Sequence, residues 1–184
     1  ATGLGELVAR RGARPEQRLV AFGDPSYAAG AGAPAPGSPA AGPPTRTGLR
    51  LAPIPASRRE VEGIGALFGS AATVWLGAEA TEERARAVGE RATLLHFATH
   101  AFADDAVPLE SAIALAVPEP GAAGREDGLL QSWEVLEDLR LEADLVTLSG
   151  CSTALGAELW GEGVVGLTRA FQFAGARSVL ASLW

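Results

Sequence analysis

The stretch Asp144-Leu145-Val146-Thr147-Leu148-Ser149-Gly150-Cys151-Ser152-Thr153 constrains this chain more than any other. A short run of aliphatic and β-branched residues, stopped by a glycine, reads as a buried strand. Cys151 is the only cysteine in the sequence and stands just past that strand's carboxyl end. In open α/β sheets, ligands and chemistry collect at those ends. A second run, Thr93-Leu94-Leu95-His96-Phe97-Ala98-Thr99-His100, has the same design and ends on a histidine. One thiol and one imidazole, each at a strand end, is what a cysteine nucleophile with a histidine partner requires.

The rest of the chain supplies elements to carry such strands. Leu19 to Phe22 is a first strand closed by Gly23-Asp24-Pro25, and Thr73 to Leu76 is a second. Ser57-Arg58-Arg59-Glu60 has the form of a capping box, followed by Val61, Ile64, Leu67 and Phe68 at helical spacing. Thr81 is placed to cap a further helix, with Glu82 and Glu83 in its first turn. Ala112 to Val117 reads as another strand in a small hairpin, and Ser132 to Leu139 as a helix. Val164, Leu167, Ala170, Phe171 and Ala174 mark a helix stopped by Gly175, and Ser178 to Trp184 reads as a last buried strand. This alternation predicts an α/β fold, a mostly parallel sheet with helices on both faces, in a single domain over residues 1–184. The Ala-, Gly- and Pro-rich segment 27–47 buries too little to offset its ordering entropy and is expected to be a mobile loop. A sequence that stops on an apolar strand reads as a piece of a longer protein.

Composition narrows the function. The net charge of −7 argues against nucleic acid as a partner. No apolar stretch approaches the roughly 18 residues of a membrane span, the first residues lack the basic-then-apolar order of a signal peptide, and a lone cysteine forms no internal disulfide. A cytoplasmic location is the expectation. All fifteen basic residues are arginine, and lysine, asparagine and methionine are absent. That pattern reads as the codon bias of a GC-rich, bacterial genome. His96 and His100 lie about 13 Å apart along a strand, too far to share a metal. Gly161-Glu162-Gly163-Val164-Val165-Gly166 matches the dinucleotide fingerprint, but it follows no strand directly and carries a carboxylate where a phosphate belongs. Glycines serving helix packing explain it better, and no cofactor is implied. His96, inside its strand, reads as a satisfied core residue.

Several motifs recur together and in order: Leu95 to His100; the Asp144 to Leu155 block with Cys151; and Gly161-Glu162-Gly163-Val164 through Ala174-Gly175-Ala176-Arg177 to Trp184. With Gly23-Asp24-Pro25, the helix start at Ser57 to Glu60 and Asp127-Gly128-Leu129-Leu130, they make most of the chain resemble the CHAT domain, a caspase-like family related to separases and caspases. His100 and Cys151 are 51 residues apart, near the roughly 50 of caspases. The resemblance implies a caspase-like sandwich and a cysteine endopeptidase acting on a protein or peptide substrate. Cys151 would be the nucleophile and His100 its base, with the backbone N–H groups of Ala101 and Cys151 as the oxyanion hole. Substrate contacts are expected at strand ends, from Asp24, Ser149 and Ser182, although Asp24 equally suits a Gly-Asp-Pro turn. It also implies fused or bound regulatory domains such as helical repeats. Two departures stand out. The family usually has glycine after the histidine, where this chain has Ala101, and often Ala-Cys-Glu at the nucleophile, where this chain has Gly150-Cys151-Ser152. A non-proteolytic caspase-like interaction module is the alternative.

Overall fold

The structure is a computed structural model and describes residues 16–27, 51–117, 126–150 and 162–182. Five parallel strands form its centre: β1 (Leu19–Pro25), β2 (Ala72–Gly77), β3 (Leu94–Ala98), β7 (Leu145–Leu148) and β8 (Val179–Ala181). They lie in the order β2-β1-β3-β7-β8. Between β3 and β7 the chain forms a second, antiparallel sheet of three strands, β4 (Ala101–Phe102), β5 (Ala112–Ala114) and β6 (Leu129–Gln131). Four α-helices flank these sheets: α1 (Pro55–Phe68), α2 (Glu82–Arg86), α3 (Ser132–Asp138) and α4 (Glu162–Phe173).

Side chains alternate across a strand, so each face of the parallel sheet recruits its own helices. Val20, Phe22, Leu95, Phe97, Val146 and Leu148 meet Val135 and Leu139 beside Leu167, Ala170 and Phe171 of α4. Three aromatic rings run through this layer: Phe22 stacks on Phe97 at 5.1 Å, and Phe97 meets Phe171 at 5.8 Å. On the opposite face Leu19, Ala21 and Ala98 pack with Val61, Ile64 and Phe68 of α1. Helices on both faces of a mostly parallel sheet are what the alternation predicts.

The helix starts follow their local chemistry, with one departure. Thr81 caps α2 as expected, its hydroxyl accepting from the Arg84 N–H. Ser57 does not cap α1, which begins two residues earlier with Pro55 in its first turn. Proline's fixed φ and missing N–H suit that position. The Ser57 hydroxyl instead donates to the Ile54 carbonyl at 2.8 Å and accepts from the Asp24 N–H at 2.8 Å, which ties α1 to the end of β1.

The second sheet exceeds the small hairpin read from sequence, because Leu129-Leu130-Gln131 adds a third strand. A buried charge cluster anchors the chain just before it. Glu82, 1% exposed, accepts from the Asp127 and Gly128 N–H groups through Oε1. Its other oxygen meets Arg86 at 2.7 Å, and Arg86 also reaches Glu134 at 2.7 Å. Gly163 and Gly166 of α4 lie hard against the chain that follows β4. A Cβ on Gly163 would come 2.7 Å from the Asp104 nitrogen, and one on Gly166 2.9 Å from Pro108. Those glycines serve close packing.

Candidate functional site

The pairing of β3 with β7 builds the site. Leu94 is level with Leu145 and Phe97 with Leu148, so the two strands end side by side. Past the strands the contact continues, with the Ser149 N–H donating to the Phe97 carbonyl at 2.7 Å. Gly150 then backs directly onto the segment 99–101. A Cβ there would lie 2.7 Å from the Thr99 carbonyl oxygen and 3.1 Å from the Ala101 Cβ. The approach leaves no room for a side chain, which is why glycine precedes Cys151. Cys151 itself lies outside the described residues.

His100 sits one residue from that contact, buried at 7% exposure. Its Nε2 is 2.8 Å from the Ala52 carbonyl oxygen. A carbonyl only accepts, so Nε2 carries the proton, and in the neutral ring Nδ1 is the bare nitrogen. Nδ1 is buried and has no hydrogen-bond partner among the described residues. The imidazole is held from a second side by Tyr27, whose ring lies 5.4 Å away, tilted by 41°. The Tyr27 hydroxyl accepts from the His100 N–H at 3.4 Å, and burial pushes its phenol well above the ordinary range. Tyr27 is thus packed, against Leu51 and the second sheet. Residues 28–47 of the expected mobile loop lie outside the described residues.

Ala101 opens β4 opposite Ile113. The neighbouring bond, from the Ala114 N–H to the His100 carbonyl, makes that pair a non-hydrogen-bonded one, so the Ala101 N–H is not used by the ladder. A Cβ on Gly150 would lie 3.3 Å from the Ala101 nitrogen. Among the described residues only Asp24 is a non-glycine residue at positive φ, so alanine after the histidine is unstrained here.

The other expected residues divide. Ser182 donates to the Gly150 carbonyl through its hydroxyl at 3.4 Å and to the Leu148 carbonyl through its N–H at 2.9 Å, so it braces the turn that leads to Cys151. Ser149 stands on the same strand end. Asp24, at φ 46°, sits within β1 where the register with β2 shifts between Gly23 and Pro25, and its carboxylate accepts from Arg58 at 2.9 Å. A small apolar cavity of about 30 Å³ lies between Ala101, Leu148, Gly150, Leu167 and Ser182. It has room for water but not for a substrate side chain. His96 is apart from all this. It faces α1, where Nε2 meets Glu60 at 2.9 Å, and burial holds its pKa below the ordinary value despite that carboxylate.

The sequence reading missed two supports. Tyr27 is the only tyrosine, and its isolation at the head of a Gly/Pro-rich segment was a usable signal. The Ala52 carbonyl gave none, since a backbone acceptor leaves no mark in residue identity.

Residues 4–184 match the sequence profile of the CHAT domain. The chain belongs to the CHAT domain family. It is similar, at 31% identity over 160 residues, to tetratricopeptide repeat protein 28 of Homo sapiens. That match covers 72% of this chain and 6% of the human protein, so the chain spans a small part of its relative's length. The CHAT domain is a caspase-like, protease-related family, and the parallel sheet with helices on both faces accords with a caspase-like fold. Among the described residues no group of acidic, histidine or cysteine side chains is arranged to hold a metal, and no helix is long and apolar enough to cross a membrane.

Proposed function

We propose that this CHAT domain is a cysteine endopeptidase in which Cys151 and His100 form the catalytic pair. One observation carries the reading. The His100 ring is fixed through Nε2 on the Ala52 carbonyl, while Nδ1 is buried without a partner among the described residues. Buried polar atoms are ordinarily satisfied, and a thiol is the partner that gives this bare nitrogen a purpose. The β3–β7 register pairs Phe97 with Leu148. The Ser149 N–H donates to the Phe97 carbonyl beyond that pair, so the chain leading toward Cys151 runs beside the one leading to His100, which supports the pairing.

In this mechanism Nδ1 takes the proton of the Cys151 thiol as Sγ attacks the scissile carbonyl carbon. The N–H groups of Ala101 and Cys151 donate to the oxyanion. The imidazolium returns its proton to the leaving amine as the C–N bond breaks, and water then hydrolyses the thioester. The Ala52 carbonyl keeps the ring in the tautomer this needs, the role a buried carboxylate plays in other triads. Asp24, Ser149 and Ser182 are the proposed substrate contacts. For Asp24 to receive a basic side chain, that side chain would displace Arg58. The substrate would be a protein or peptide, and the likeness to a tetratricopeptide repeat protein supports control by helical repeats fused to or bound by the domain.

The test is a peptide-library cleavage assay on the whole parent protein, with Cys151→Ala and His100→Ala beside it. Cleavage by the parent and none by either variant is expected. Cleavage that survives Cys151→Ala, or no cleavage by any form, would leave a non-proteolytic interaction module as the better reading.

A further inference from the structure

We propose that the domain has a second binding site, at the opposite end of the sheet from Cys151, that takes an acidic, extended peptide segment. A cleft of about 540 Å³ opens beside the amino ends of β1 and β2, within the range of ligand sites. Val20, Thr73 and Trp75 form its floor, and Arg18, Arg84 and Arg91 stand around it. Among the described residues, no acidic side chain lines it. In a chain of net charge −7, three arginines around one cleft are a local reversal of sign.

The arginines have different tasks. Arg84 lies flat on the Trp75 ring, 3.8 Å from its centre, and pairs with Glu79. It is therefore held in place as part of a planar platform. Arg18 and Arg91 are exposed and make no ion pair among the described residues. Two guanidinium groups with no ion pair among the described residues, above Val20, Thr73 and Trp75, suit carboxylates carried on an extended chain.

The strand beside the cleft favours a peptide. β2 is the outermost strand and, among the described residues, pairs only with β1. An open edge presents unpaired N–H and C=O groups that an extended chain can satisfy as an added strand, with alternate side chains entering the cleft. The seven residues of β1 put the cleft roughly 20 Å from the strand ends that form the catalytic site. The proposal is thus independent of whether Cys151 cleaves anything.

The experiment is fluorescence anisotropy with a labelled hexaglutamate peptide at low salt, on the wild-type chain and on Arg18→Glu/Arg91→Glu. Arg91→Ala serves as a milder second variant, and circular dichroism checks that each is folded. Saturable binding is expected, weakened tenfold or more by the double variant and severalfold by Arg91→Ala, and lost as salt screens the charges. Labelled hexalysine should not bind with the same dependence on Arg18 and Arg91. Absent hexaglutamate binding, or equal binding by wild type and double variant, overturns the proposal. Displacement by tripolyphosphate as readily as by unlabelled hexaglutamate overturns its peptide part and leaves a site for small anions.

Discussion

Two histidines four residues apart show how position along one strand decides what a buried polar group is for. The middle of β3 places His96 under α1, where Glu60 answers it and the ring is one more packed side chain. The end of the strand places His100 where the sheet gives way to loops and a second sheet begins. There one nitrogen is fixed by a carbonyl and the other is left bare. Both residues are 7% exposed, so burial alone does not distinguish them. What distinguishes them is that His100 alone holds a buried ring nitrogen with no partner among the described residues.

The largest effect expected from this contrast is on turnover. His100→Gln keeps a donor for the Ala52 carbonyl but loses the basic nitrogen, and should lower the cleavage rate about 10²- to 10⁴-fold with the melting temperature little changed. His96→Gln, which can still reach Glu60, should leave cleavage within a few-fold. His96→Ala should instead cost about 1–3 kcal/mol in urea unfolding. A His96→Gln enzyme that is folded but dead would reverse the two roles.

Next in size is the contact that brings the site together. Gly150→Ala forces a methyl against the Thr99 carbonyl and the Ala101 Cβ and should destabilise by about 1–3 kcal/mol while slowing cleavage. Adding Ala101→Gly removes one of the two clashes, so the double variant should recover part of both losses. This pairing also bears on the departures from the family pattern at positions 101 and 150. A methyl after the histidine is met by glycine before the cysteine, so one methyl group stands at the contact whichever side carries it. No recovery in the double variant would separate the two positions.

Tyr27→Phe should have a smaller effect, about 1 kcal/mol, because it removes the acceptor for the His100 N–H and keeps the ring beside the imidazole. The smallest concerns the buried cluster around Glu82, whose two carboxylate oxygens are both paired. Burial pushes the Glu82 carboxyl up to about 7 against the backbone N–H bonds and Arg86. A raised acid stabilises the fold fully below its unfolded value of about 4.5, and that contribution fades as pH rises through about 7. Glu82→Gln should flatten this decline between pH 5 and 8, measured by urea unfolding, and should leave the pH profile of cleavage in place.

Much of this was legible in the sequence for a physical reason. Strands in the middle of the sheet are largely apolar, so β1, β3 and β7 announce themselves, and a glycine or histidine just past each apolar run marks where the regular strand gives way. Thr81 was legible because a cap acts through its own side chain. Ser57 was misread because the same hydroxyl serves either a helix start or a tie to β1, and Pro55 took the first role. The second sheet was only half visible, since Leu129-Leu130-Gln131 is too short to show a period. Glu82 looked like a first-turn carboxylate, and its buried backbone partner Gly128, like the Glu134 with which it shares Arg86, lies more than forty residues away in sequence. The Ala52 carbonyl was out of reach altogether.

The central claim is that the bare nitrogen of His100 serves the thiol of Cys151. The rate at which iodoacetamide alkylates Cys151, followed against pH in the wild-type chain and in His100→Gln, tests it without any substrate. The account predicts a wild-type profile with an apparent thiol pKa well below the ordinary value of about 8.5, moving back toward that value in His100→Gln. Two superimposable profiles near 8.5, or a wild-type thiol that does not react while the protein is folded, would contradict it.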